Sequence, residues 1–200
     1  MTHPPRAGEP VWDLARLFPD QGAWSESDYL ALDRMSKQMV EYTDGFVEVL
    51  PVPTWKHQQI ALFLIRAILA YAEPLKLGKA GVAPVPVKLR SKKWREPDIV
   101  FLLTANLPKG DYPESADLVI EVVSDDDRSQ QRDKVENVAD YAAAGIPEYW
   151  IVDPREEQIV VLKLVDGKYV EHGKFKPGAR ASSVLLKGLE IDVSAALNAN

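Results

Sequence analysis

The chain has no cysteine, which excludes disulfides and thiolate-bound metals. It has no long apolar run. The longest, IALFLIRAILAYA, is interrupted by Arg66 and is too short to span a bilayer. The opening MTHPPRAGEP lacks the apolar core of a signal peptide, so the expectation is a soluble cytoplasmic protein with no membrane contact. Positive charge is not in surplus either. A net charge of −6 argues against non-specific coating of nucleic acid, which takes many lysines and arginines. It leaves room for a metal-dependent enzyme acting on nucleic acid, because acidic metal sites lower net charge. There are no internal repeats and no low-complexity linker.

What is present suits one well-cored domain: 200 residues, 46% of them hydrophobic. Residues 1–24 are rich in proline, glycine and charge and read as a loosely attached arm, with a single domain over 25–200. SESDYLALDRM carries a Ser-x-x-Asp cap ahead of apolar spacing, which predicts a short helix from Ser25. VEYTDGFVEVL predicts a hairpin turning at Asp44-Gly45. Thr54 is the expected N-cap of a long helix on which Ile60, Leu64, Ala67, Ile68 and Tyr71 recur at helical spacing; Pro74 ends it. GVAPVPVKL, EPDIVFLL and DLVIEVVS read as strands, the first limited by its prolines to an edge or bulge. A helix is expected over roughly 130–144, closed by Gly145 with Pro147 beyond. EYWIVDP follows as a strand, then a hairpin turning at Asp166-Gly167, then a short strand and a last helical turn. The order implies a mixed α/β (α+β) fold: a central sheet flanked by helices, with additional hairpins. The one strongly basic stretch, KLRSKKWR around Trp94, reads equally as a solvated hairpin tip or a nucleic-acid contact.

Within DLVIEVVSDDD, Glu121 stands among aliphatic residues. Strand alternation puts Leu118, Ile120 and Val122 on one face, and Asp117, Val119, Glu121 and Val123 on the other. Neither is a solvent face. A buried carboxylate needs a cation, a hydrogen-bond network or a shifted pKa. Asp98 opens the preceding strand, and consecutive strands often neighbour, so Asp98 and Glu121 can converge. Two close carboxylates repel unless something positive lies between them. Mg²⁺ is the usual solution, with the Val122 carbonyl as a third donor. Lys134, at spacings of four and seven from Val138 and Tyr141, is the expected protein cation. It would orient the attacking water and offset developing charge. The acids that follow, Asp125 to Asp127, favour the positive end of the next helix and are not taken as ligands.

VEYTDGFVEV, WKHQQI, EPDIVFL, ADLVIEVVSDDD, DKVENVADYAAAGIPEYWIVDP and LLKGLEIDV together resemble the Uma-type restriction endonuclease family of the PD-(D/E)XK nuclease superfamily. The resemblance spans most of the chain outside the arm. It implies a restriction-endonuclease-like core with Mg²⁺ (or Mn²⁺) on Asp98 and Glu121, and water attacking a phosphodiester of nucleic acid, DNA above all. It also points to Glu41 on the first hairpin and His57 on the long helix as site residues. One departure stands out: the superfamily wants a lysine two residues after the glutamate, and Val123 is there. Lys134 is the expected substitute.

Each residue also has a plainer reading. Glu121 pairs with a buried cation, Asp98 caps a turn, Lys134 is a surface lysine and His57 a hydrogen-bonded core histidine. Glu41 is a cross-strand partner, and Tyr141, Tyr149 and Trp150 are core. Two competing functions go with these: a non-cleaving module that binds nucleic acid or protein on the same fold, or an interaction protein dimerising through an exposed edge at EYWIVDP or the C-terminal hairpin.

Overall fold

A computed structural model describes residues 18–124 and 126–200. The first element is helix α1 (Glu26–Met35), and a capping box sets its start. The Ser25 side chain accepts from the Asp28 amide, and the Asp28 carboxylate accepts from the Ser25 amide. Strands β1 (Val40–Thr43) and β2 (Phe46–Val49) form the expected hairpin, with Asp44 and Gly45 at φ 49° and 95°. Glycine is required at 45 for a second reason: a Cβ there would lie 2.5 Å from the Gly22 carbonyl oxygen. That contact comes from the segment expected to be part of a loose arm. The Gly22 amide donates to the Gly45 carbonyl at 2.7 Å, the Gln21 side chain donates to the Val47 carbonyl at 2.8 Å, and Phe18 stacks on Trp24. Residues 18–24 are therefore fastened to the hairpin, and the rest of the expected arm, 1–17, lies outside the described residues.

Helix α2 (Trp55–Ala72) starts where Thr54 accepts from the His57 amide and ends two residues before Pro74. The GVAPVPVKL segment is two strands in two sheets: β3 (Gly78–Val82) and β4 (Val87–Arg90), separated by the residues around Pro84 and Pro86. Proline cannot donate to a ladder, so the run breaks there. Strand β5 (Lys93–Arg95) turns back on β4, and β6 (Ile99–Leu103) and β7 (Leu118–Val122) follow.

The expected helix over 130–144 begins earlier and is uneven. Helix α3 (Asp127–Gln131) runs into one wide π-type turn over Arg132–Glu136, then α4 (Asn137–Ala143). In that turn the Asn137 amide reaches back five residues to the Arg132 carbonyl. This frees the Asp133 carbonyl, which the Tyr149 hydroxyl takes at 2.7 Å. Strand β8 (Glu148–Asp153), the hairpin β9 (Gln158–Val165) and β10 (Lys168–Phe175), strands β11 (Arg180–Ser182) and β12 (Glu190–Asp192), and helix α5 (Val193–Leu197) complete the chain.

The main sheet has the order β10-β9-β8-β7-β6-β3, with β7 and β8 parallel and every other pair antiparallel. A second sheet, β2-β1-β5-β4, carries α1. Leu118, Ile120 and Val122 pack with Ile60, Leu64 and Ile68 of α2 and with the C-terminal segment. Val119 and Val123 pack on the opposite face with Tyr141 and Tyr149. The sheet is covered on both sides, and period-two alternation decides which side each β7 residue serves. EYWIVDP is not an edge. β8 lies between β7 and β9 and is buried throughout, so dimerisation through it is ruled out as described.

Candidate active site

The register of β6 on β7 pairs Ile99 with Ile120, which sets Asp98 opposite Glu121 at the end of the ladder. The two carboxylates are tied to each other's strands. Glu121 Oε2 accepts from the Asp98 amide at 3.2 Å, and Asp98 Oδ2 accepts from the Val122 amide at 2.7 Å. Asp98 Oδ1 lies 2.9 Å from His57 Nε2, which the first turn of α2 delivers. Glu121 Oε1 accepts from the Tyr141 hydroxyl at 2.7 Å and from Asn137 Nδ2 at 3.2 Å. Asn137 also donates to Asp133 Oδ1 at 3.3 Å.

Asp98, Glu121, Val122, His57 and Glu41 all line one cavity, together with Glu96, Arg132 and Asp133. Its free volume is about 20 Å³, room for a single water or a small ion and not for a nucleotide. Glu41 is buried on β1, 3.5 Å from Arg95, and accepts from the Glu96 amide at 3.3 Å. So five of the residues singled out in the sequence meet at one place. Lys134 does not. Its ammonium lies 2.6 Å from Asp153 Oδ2, close in distance though not aligned as a hydrogen bond, and donates to Glu156 Oε1 at 2.8 Å. The wide turn just before α4 changes the rotation per residue and takes Lys134 off the face that carries Asp133, Asn137 and Tyr141. The expectation that Lys134 points into the site is corrected accordingly.

Negative charge is crowded here, and the pKa directions show it. Burial, then the charge of Asp98 and of Asp133, pushes Glu121 well above the usual carboxylate range. Burial pushes Asp133 up to about 7 against the pull of Arg132. Glu96 rises to about 8, again through burial first. Glu41 is raised by burial, with Arg95 and Arg132 opposing. Burial works against charging His57, but the Asp98 carboxylate outweighs it and the imidazole pKa is raised.

Among the described residues, no group of three or more histidine, aspartate or glutamate side chains is arranged to hold a metal ion. The donor chemistry of the Asp98–Glu121 pair nevertheless suits a hard cation, since all its donors are oxygens. A carboxylate offers roughly four lone-pair positions. The hydrogen bonds above leave positions on both Asp98 and Glu121. The raised carboxylate pKa values mark charge that protein cations do not balance.

Sequence reasoning did not pick out Arg132, Asp133, Glu96 or Asn137. The signal for part of this set was there: Asp133, Asn137 and Tyr141 follow one another at intervals of four, a polar stripe on one helix face. The basic stretch KLRSKKWR proves to be a β4–β5 hairpin, and four of its five cationic side chains are paired with acids elsewhere in the protein. Arg90 pairs with Asp44, Lys93 and Arg95 with Asp140, and Lys88 with Glu26.

The described helices include none long and apolar enough to cross a membrane. No curated protein sequence matches the chain. Among solved structures, a protein from Anabaena variabilis reported as "a putative nuclease belonging to DUF820" has the same fold. The TM-score is 0.72 at 19% identity, covering 87% of this chain and 99% of that one. The family described as "Putative restriction endonuclease" matches residues 26–194, and the chain belongs to that Uma2 family.

Proposed function

We propose that the chain is a metal-dependent nuclease hydrolysing phosphodiester bonds in nucleic acid, DNA in the first instance. The observation that carries this reading is the meeting of Asp98, Glu121 and His57 in one small cavity at the end of the β6–β7 ladder. Asp98, Glu121 and the Val122 carbonyl would hold Mg²⁺ or Mn²⁺, which supplies Lewis acidity and lowers the pKa of water when bound. The protein's own part is positioning. Tyr141 and Asn137 fix the Glu121 carboxylate, and the Val122 amide and His57 fix that of Asp98. Glu41 adds a further buried carboxylate to the cavity wall, held by the Glu96 amide. The cavity is too small for a nucleotide, so the substrate backbone would lie across its mouth. A cytoplasmic location and a homodimer remain parts of the proposal.

The experiment is Mg²⁺- or Mn²⁺-dependent cleavage of single- and double-stranded DNA and RNA, with Glu121→Ala beside wild type. Cleavage by wild type alone supports the reading. Equal cleavage by both defeats it. The competing reading is a non-cleaving binding module, favoured by the number of protein donors that Asp98 and Glu121 already hold. Binding of nucleic acid without cleavage under any metal would select it.

A further inference from the structure

With Lys134 paired elsewhere, the cation expected beside the carboxylates must come from another residue. Arg132 is the one lysine or arginine among the described residues that lines the cavity. Its side chain is only 12% exposed. Nε donates to Asp133 Oδ1 at 3.1 Å, and Nη2 makes a long contact to Ser129 Oγ at 3.5 Å. Nη1 makes no hydrogen bond to a described residue. The guanidinium is thus held firmly through Nε alone, and it shares the cavity wall with Glu41, Glu96, Asp98, Glu121 and Asp133. It stands at the first residue of the wide helical turn, a feature frequent at functional sites.

We infer that Arg132 is the cationic catalytic residue of this site, contacting a non-bridging oxygen of the scissile phosphate. The inference rests on the nuclease reading above. In the hydrolysis, the water oxygen forms a bond to phosphorus and gives up a proton to solvent. The P–O ester bond breaks, and its electron pair leaves with the alkoxide, which takes up a proton to become an alcohol. Negative charge on the phosphoryl oxygens is what a positioned cation stabilises. A guanidinium stays charged at any working pH, so Arg132 serves as a donor and a charge and never as a base. Its planar fork also suits phosphate oxygens better than a lysine does.

A charge that merely neutralises Asp133 would occupy the same place, so the test has to separate the two. Mn²⁺ affinity is measured by calorimetry without nucleic acid, and single-turnover cleavage at saturating Mn²⁺, for wild type, Arg132→Ala and Arg132→Lys. Removing positive charge from beside the carboxylates leaves Mn²⁺ affinity equal or higher in Arg132→Ala. The cleavage rate falls about 100-fold, as for loss of one preorganised donor. Arg132→Lys restores part of that loss. If Arg132→Ala does not fold, Arg132→Lys decides: a reduced rate at unchanged Mn²⁺ affinity supports the inference, and a wild-type rate overturns it. A rate loss matched by an equal loss of Mn²⁺ affinity also overturns it, by making Arg132 a support for the carboxylates alone. Active wild type with fully active Arg132→Ala defeats this inference and leaves the nuclease reading standing. Inactive wild type defeats both.

Discussion

His57 Nε2 and Asp98 Oδ1 lie 2.9 Å apart, and this one contact joins the first turn of α2 to the start of β6. Both groups are buried. Taking His57 away leaves one oxygen of a buried carboxylate without its partner, which costs about 1–3 kcal/mol. His57→Ala is therefore expected to lower stability by roughly that amount in urea denaturation, and to reduce cleavage. His57→Gln, which can still donate, is expected to recover much of the stability. Equal stability of His57→Ala and wild type would show the contact to be energetically idle.

Lys134 and the carboxylate pair belong to different parts of the molecule, and two variants show it. Lys134→Ala takes the cation from the buried Asp153 carboxylate and from the exposed Glu156, and is expected to cost about 1–3 kcal/mol. Its metal-dependent cleavage should stay close to wild type. Asp98→Asn keeps the shape of the side chain and removes its charge, and is expected to abolish cleavage while the far-ultraviolet circular dichroism is unchanged. Loss of cleavage in Lys134→Ala would return that residue to the site.

The contrast between Asp98 and Lys134 shows how far the sequence could be read. Alternation along β6 and β7 is a property of every extended chain, so two carboxylates on adjacent strands could be matched from the sequence once the strands were assumed neighbours. Thr54, Asp44-Gly45 and Ser25 were legible for the same reason: caps and tight turns depend on a few adjacent residues. Lys134 was misplaced because one wide turn at Arg132–Glu136 breaks the ideal helical count, and no local residue pattern announces that turn. Its cause is partly tertiary, since Tyr149 on β8 takes the Asp133 carbonyl that the turn releases. EYWIVDP likewise reads as apolar, but whether such a strand is central or at an edge depends on β9, which pairs with it from further along the chain.

Stability should depend on pH through the buried acids. Glu96 has its folded pKa raised from 4.5 to about 8, and Glu41 and Glu121 are raised as well, in each case with burial as the largest cause. The folded state then holds protons that the unfolded chain has released, so stability falls as pH rises between those two values. The contribution is complete below about 4.5 and gone above about 8 for Glu96. Urea midpoints in chelator, measured across that range, are expected to decline. Glu96→Gln should flatten the decline, because glutamine has no proton to lose. A profile as steep in Glu96→Gln as in wild type would assign the effect to other groups.

The site rests on a core that can be tested apart from chemistry. Leu64 is fully buried on α2, in the cluster that also holds Ile120 and Val122 on the far side of β7 from Glu121. Truncation to alanine removes apolar contacts and leaves a cavity, at a cost of about 2–5 kcal/mol. Leu64→Ala is expected to lower the urea midpoint by a matching amount with the slope unchanged. Below its unfolding transition it should bind Mn²⁺ like wild type, since the carboxylates are fixed by Val122, Tyr141 and Asn137 and not by Leu64. A fall in Mn²⁺ affinity in the folded variant would mean that the packing of α2 also sets the geometry of Asp98, through His57.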